Sequence, residues 1–299
     1  MTRISFDMDG VLVEVTESYR KAIIATFETV LTEEFGEEDK KLSFQEVQHF
    51  KDTGIFNNDW ILTQTTIAYA LSGLEFSKFL KIAVEKKADV NKILIEIKLN
   101  LGNNFPKLQE LIDTGYIIKR FEEIYLGANL YKKFYGEKPS KNTPIKGMIE
   151  NEKIIAKPKL FKQLKNLDIK GFGITSGRPR DQALYTLKKF NILKYFEKTA
   201  LLFMHDAPKG KEKPHPYTLD LTFKKLENAG YTEPSIYVGD TISDLIMAKN
   251  YGECISVCVL SASFDREEAL KQFKAKGADI IIEDVSKLPK ALLEVLKLG

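Results

Sequence analysis

From about residue 150 onward this 299-residue chain alternates strand-like and helix-like segments, and that alternation restricts its fold more than any other feature. Residues 170–174, 199–203, 235–238, 254–259 and 280–282 are short apolar runs of branched and aromatic side chains, each read as a buried strand. Between them lie stretches with helical periodicity. Pro158 opens one that reaches Leu167, and others are expected over 180–190, 216–229 and 242–250, from Phe264 and from Val285. Such alternation implies βαβ units, hence a parallel sheet with helices on both faces. A further strand, residues 3–6, stands far from the others in sequence. It has to join the same sheet, because one strand cannot bury itself alone. The expected fold is α/β, a doubly wound parallel sheet.

Residues 16–149 read differently. Helical periodicity runs almost throughout, over 17–35, 43–53, 60–73, 76–99 and 117–135, with breaks at Gly36, Gly54, Gly102, Pro106, Gly115, Pro139 and Pro144. Ser43-Phe44-Gln45-Glu46 has the pattern of a capping box, in which hydroxyl and carboxylate satisfy free amides at a helix start. The expectation is an all-helical domain, 16–149, inserted into a core formed by 1–15 and 150–299. A chain of this length can support two such cores.

Composition excludes several classes of function. With 45 basic and 42 acidic residues the net charge is +3, and the lysines are spread at helical spacings among glutamates. They read as solvated faces, so no nucleic-acid partner is expected. No apolar stretch approaches a membrane span, and the first residues lack the pattern of a signal peptide, so the expected location is cytoplasmic. Cys254 and Cys258 lie in an apolar run without a His cluster and are expected to be reduced core thiols.

The chemistry is expected at the strand ends, because open parallel sheets bind ligands beyond the carboxyl ends of their strands. After the first strand comes Asp7-Met8-Asp9-Gly10, two carboxylates spaced by one residue before a turn glycine. Alone it is equally consistent with an ordinary polar turn. After residues 170–174 comes Thr175-Ser176-Gly177-Arg178-Pro179, a hydroxyl and a run of amides ahead of a helix, able to hold an anion. After 199–203 comes a loop with Lys209, Lys211 and Lys213, and after 235–238 comes Gly239-Asp240-Thr241-Ile242-Ser243-Asp244. Each element is common by itself. Their order, each behind a strand, brings two carboxylate pairs, a hydroxyl and a lysine to one edge. Hard oxygen ligands without His or Cys suit Mg²⁺, and a lysine beside them suits a transferring phosphoryl group.

These four motifs resemble those of the haloacid dehalogenase superfamily of phosphatases. The position of the helical insertion is similar to the cap of subfamily I, as in phosphoglycolate-phosphatase-like enzymes. The resemblance implies a Rossmann-like core with a helical cap, a Mg²⁺ cofactor and hydrolysis of a small phosphorylated metabolite through an aspartyl-phosphate. It implies Asp7 as nucleophile and Asp9 as the acid and base for the leaving oxygen and the attacking water. Thr175 would bond the phosphoryl oxygens, and Lys213, rather than Lys209 or Lys211, would neutralise charge. Asp240 would bind the metal with Asp7 and the backbone carbonyl of Asp9, and Asp244 would complete the shell directly or through water. Ser176 stands where many relatives have Asn, which leaves its contact with the leaving group open.

Within the insertion, which exceeds a compact cap by several tens of residues, the segment from Lys51 to Trp60 gathers polar groups and the single Trp around a helix break. It offers Lys51, Asn57, Asn58 and Trp60 as substrate-binding candidates, expected to face the nucleophile when the helical domain closes. The simpler reading has Asn58 or Asp59 capping a helix that a buried Trp60 opens. Ser176, Gly177, Arg178 and Arg20 are further candidates, and for the two arginines a surface position is the commoner outcome. A phosphomutase would need the same Asp7 and Asp9. A non-catalytic binding module would be expected to have lost a motif, and none is lost. The sequence leaves the oligomeric state open.

Overall fold

The computed structural model describes residues 2–56, 58–263 and 265–296. It divides into two compact units, Met1–Glu14 with Lys153–Gly299, and Val15–Glu152. Strand β1 (Thr2–Phe6) shows why the first residues form a central strand. Successive side chains point to opposite faces. Ile4 and Phe6 therefore share one face, and Arg3, Ser5 and Asp7 share the other. On the apolar face the Phe6 ring meets Phe161, Phe172 and Phe196, each with centroids 6.2 Å away. On the other, Arg3 donates to Ser235 Oγ at 2.9 Å and to the Phe223 carbonyl at 3.0 Å. The polar stripe runs along this face and ends in Asp7.

After a short β2 (Val13–Glu14) comes the helical unit. It contains α1 (Lys21–Val30), α2 (Phe44–Asp52), α3 (Asp59–Ser72), α4 (Phe76–Glu85), α5 (Val90–Glu96), α6 (Lys98–Leu101), α7 (Asn104–Asp113) and α8 (Tyr116–Tyr135). Ser43 caps α2 with the full reciprocal box to Glu46. Two expectations differ from what forms. The single helix expected over 76–99 is interrupted, with Lys87 and Ala88 at positive φ between α4 and α5. Pro106, read as a break, lies inside α7, two residues after its start. A first-turn residue has no intrahelical N–H bond to lose, so proline is tolerated there.

The chain returns through β3 (Lys153–Ile154), which pairs antiparallel with β2. There follow α9 (Pro158–Asn166), β4 (Gly171–Thr175), α10 (Arg180–Lys189), β5 (Leu201–Leu202), α11 (Tyr217–Asn228), β6 (Thr232–Gly239), α12 (Ile242–Tyr251), β7 (Ile255–Val259), α13 (Arg266–Ala275), β8 (Ile280–Ile282) and α14 (Leu288–Leu296). The six-stranded sheet has the order β5-β4-β1-β6-β7-β8, and all its pairings are parallel. From β4 the chain moves outward on one side of β1, and from β6 outward on the other. The strand order therefore reverses at β1, and the end of β1 is where such a sheet opens a ligand crevice. Asp7 is the first residue past it. The doubly wound parallel sheet expected from the alternation is the fold observed.

Candidate active site

The Asp7 amide donates to the Val238 carbonyl at 2.8 Å, extending the β1–β6 ladder by one residue. The chain then turns sharply. Met8 O accepts from Leu12 N (2.8 Å) and Val13 N (3.0 Å), and Gly10 N donates to Val13 O (2.8 Å). Gly10 has φ 76°, and a Cβ there would lie 2.1 Å from Asp240 Oδ2. Both the backbone sign and the lack of room require glycine, because the first aspartate loop lies directly against the last.

Lys213 joins the two carboxylate pairs. Its Nζ is 3.0 Å from Asp7 Oδ1 and 2.7 Å from Asp244 Oδ1. Lys209 and Lys211 are exposed, and Lys211 lies over the Tyr217 ring. Burial works against the Lys213 ammonium, but Asp244 and Asp7 outweigh it and hold the group protonated, above the usual lysine range. Asp244 is held at both oxygens. Oδ1 accepts from Lys213 and from the Tyr237 hydroxyl at 2.7 Å, and Oδ2 accepts from Thr241 N (3.1 Å) and Thr241 Oγ1 (2.7 Å). Burial would raise its pKa, yet Lys213 and these donors bring it below the ordinary value.

Asp7 and Asp240 are in the opposite situation. Burial, moderated by Lys213, raises the Asp7 pKa to about 6. Burial and then the charges of Asp244 and Asp7 push Asp240 well above its ordinary value. Asp240 Oδ1 is buried without a hydrogen-bond partner. Oxygens of Asp7, Asp240 and Asp244 lie within 4.8 Å of one another. Among the described residues, Lys213 pairs with Asp7 and Asp244, and Arg178 pairs with Asp9. An all-oxygen cluster in which burial and neighbouring carboxylates raise the pKa values of Asp7 and Asp240, with an orphaned carboxylate oxygen, fits a hard divalent cation. Asp240 and Asp7 are the groups with most to gain from one. Asp244 already shares each oxygen between two donors.

Other expected site residues are placed differently. The Thr175 hydroxyl is buried in the core, 2.8 Å from both Ser5 Oγ and Thr222 Oγ1. Ser176 N donates to Leu202 O at 3.0 Å, and its hydroxyl accepts from Arg178 N at 3.4 Å, while Gly177 is exposed. Arg178 is not a surface residue. Its side chain is fully buried, with Nη1 3.5 Å from Asp9 Oδ1. Tyr237 escaped sequence reasoning, because in a strand it reads as one more core aromatic. Its place two residues ahead of Gly239-Asp240 was the available signal.

Residues 148–258 match the model of haloacid dehalogenase-like hydrolases. The match takes in β4 to β6 and most of β7 of the core unit, with Thr175, Lys213, Asp240 and Asp244. A phosphatase from Thermococcus thioreducens is similar over 98% of this chain and 99% of its own, at 22% identity and a TM-score of 0.64. A predicted phosphoglycolate phosphatase from Haemophilus somnus matches over 96% of both chains, at 17% identity and a TM-score of 0.54. In sequence the chain is also 26% identical over 269 residues to an imidazoleglycerol-phosphate dehydratase of Phytophthora nicotianae. The match takes in 90% of this chain but 45% of that protein, so the chain spans about half of its relative's length.

The substrate-binding candidates of the helical unit have local partners. Asn58 Oδ1 accepts from Trp60 N (2.9 Å) and Ile61 N (3.2 Å), so Asn58 is the cap of α3. Lys51 Nζ pairs with Asp59 Oδ1 at 2.6 Å. Trp60 is half-buried rather than buried, because its indole N–H reaches the buried Glu122 at 2.8 Å. Glu122 also accepts from the Tyr135 hydroxyl, a contact no local sequence pattern signalled. Arg20 is half-buried, with its guanidinium over the Phe44 ring. Asn57 lies outside the described residues. Both cysteines are free, and burial pushes each thiol up to about 12, which makes them poor nucleophiles. No helix among the described residues is long and apolar enough to cross a membrane.

Proposed function

We propose that the protein is a Mg²⁺-dependent phosphatase that hydrolyses a small phosphorylated metabolite through an aspartyl-phosphate on Asp7. The observation carrying this reading is the Asp7 carboxylate, held by the Lys213 ammonium on one side and facing the orphaned Asp240 on the other. When bound, Mg²⁺ would be held by Asp7 and Asp240, with the backbone carbonyl of Asp9, and would offset charge on the phosphoryl oxygens. In the first half-reaction an Asp7 oxygen attacks phosphorus. The bond from phosphorus to the ester oxygen breaks, and that oxygen takes a proton from Asp9. In the second, water attacks phosphorus and gives its proton to Asp9. The Asp7–phosphorus bond breaks, and the carboxylate and inorganic phosphate are released. Lys213 keeps its proton throughout and holds Asp7 in line. Thr175 would have to turn its hydroxyl from Ser5 and Thr222 to bond the phosphoryl group; as placed, it supports the strand end.

One class of substrate is favoured for testing first. The Phytophthora nicotianae relative carries a name for chemistry on an imidazole-bearing phosphate ester, and this chain matches less than half of it. Imidazole-bearing phosphate monoesters therefore lead a screen that includes phosphosugars and short phosphorylated acids. The decisive experiment measures Mg²⁺-dependent release of inorganic phosphate from p-nitrophenyl phosphate by wild type and Asp7→Asn. Asp7→Asn should lower turnover by on the order of a thousandfold or more, with an unchanged circular dichroism spectrum. Full activity in that variant, or conversion of a phosphosugar into its isomeric phosphate without release of inorganic phosphate, would reject the reading.

A further inference from the structure

Arg178 has no part in the reaction as described so far, yet it is a charged side chain withdrawn completely from water. Burying a guanidinium is costly without acceptors of matching charge. The sequence places it three residues beyond β4, in the loop that opens α10. That loop is fastened from both sides. Ser176 N donates to Leu202 O at 3.0 Å, and the Arg178 carbonyl accepts from Met204 N at 3.1 Å. From this anchored backbone the side chain crosses to the turn after β1. There Nη1 stands 3.5 Å from Asp9 Oδ1 and 3.9 Å from Met8 Sδ. Asp9 itself is 29% exposed at its side chain, so one flank meets Arg178 and another is open to solvent.

We propose that Arg178 is a positioning residue for Asp9, fixing the orientation of the carboxyl that exchanges the proton in both half-reactions. The inference rests on the phosphatase reading above and on the Arg178–Asp9 geometry. The ion pair draws the buried Oδ1 toward the guanidinium, and so biases the rotation of the carboxyl and the direction of its other oxygen. Arginine suits this duty. Its fork is planar and rigid, and it stays charged at every working pH, so it does not compete for the proton that Asp9 passes. Lysine would keep the charge but present a point rather than a plane.

A role in proton transfer is distinguished from a structural one by the leaving group. A good leaving oxygen departs with little help, whereas a poor one needs the acid. Hydrolysis of p-nitrophenyl phosphate and of phenyl phosphate would be compared for wild type, Arg178→Lys, Arg178→Ala and Asp9→Asn. Arg178→Ala should lose about tenfold or more beyond its p-nitrophenyl loss on the phenyl ester, and added guanidinium chloride at tens of millimolar should restore part of it. Arg178→Lys should fall between, and it carries the test if the alanine variant does not fold. In an Asp9→Asn background, Arg178→Ala should have no further leaving-group effect. Equal losses on both esters in a folded variant, or an undiminished Arg178→Lys, would overturn the assignment while Asp7→Asn remained dead. A wild type unable to release phosphate from either ester would instead reject the phosphatase reading beneath it.

Discussion

Asp240 has the least settled environment of the site carboxylates. It is half-buried beside two other carboxylates, and one of its oxygens, buried, has no donor. A ligand that binds only the folded state stabilises by about 2.7 kcal/mol at a hundredfold excess over its dissociation constant. Added Mg²⁺ should therefore raise the melting temperature by several degrees, at about 2–4 °C per kcal/mol for a domain of the core's size. Asp240→Asn should abolish that response and melt higher than wild type without metal, because it removes one of the repelling charges. Differential scanning fluorimetry with and without MgCl₂ reads both. Gly10 makes a complementary case. Alanine there would need positive φ and would collide with Asp240 Oδ2, so Gly10→Ala should cost about 1–3 kcal/mol in denaturant unfolding and lower metal affinity as well.

At the scale of elements, the loop that enters β8 is tied to β7 by one carboxylate. Asp279 accepts from Ser256 N (2.8 Å) and Ser256 Oγ, and pairs with Lys249 at 2.9 Å. Burial alone would raise its pKa, but these partners bring it below the ordinary 3.8. The folded state then binds this proton less readily than the unfolded chain. The stability it contributes is present above about pH 4 and is lost as pH falls through the folded pKa. Urea unfolding of wild type and Asp279→Asn should differ at pH 6, and the difference should shrink as pH is lowered below about 4. Within the helical unit, α8 breaks at Gly127 (φ 73°, ψ 163°), where the backbones of Gly127 and Gly147 meet. A Cβ on Gly127 would lie 2.4 Å from Gly147 N. Gly127→Ala should destabilise this unit by about 1–3 kcal/mol, measured by its unfolding in urea.

These elements also show what a sequence can reveal. The long strands of the core and the carboxylates behind them were legible because burial on both faces and loss of apolar character at the strand end are local signals. The break at Gly127 was not, since a single glycine inside a 20-residue periodic run looks tolerable until the distant Gly147 is known. Nor was the burial of Arg178, whose partner lies 169 positions away. Thr175 was legible as a hydroxyl at a strand end, but its orientation toward Ser5 depends on packing against α11.

For the whole molecule, the decisive arrangement is a central strand that supplies Asp7 and is flanked by β4 and β6, both contributed by sequence more than 160 residues later. The aromatic cluster beneath β1 draws on the same distant segments, so Phe161→Ala should cost about 3–5 kcal/mol and lower activity only through unfolding. The chain leaves this core and re-enters it at adjacent points, where Glu14 faces Lys153 across the antiparallel β2–β3 pair. Residues directly opposite in such a pair are the natural ends of a two-residue hairpin. An Asn-Gly turn in place of residues 15–152 should therefore close the core without shifting its sheet, testable by circular dichroism and thermal melting. In evolutionary terms the β2–β3 pair is a socket: one insertion can be exchanged for another at a single paired position, leaving the registry of the strands that carry the carboxylates untouched.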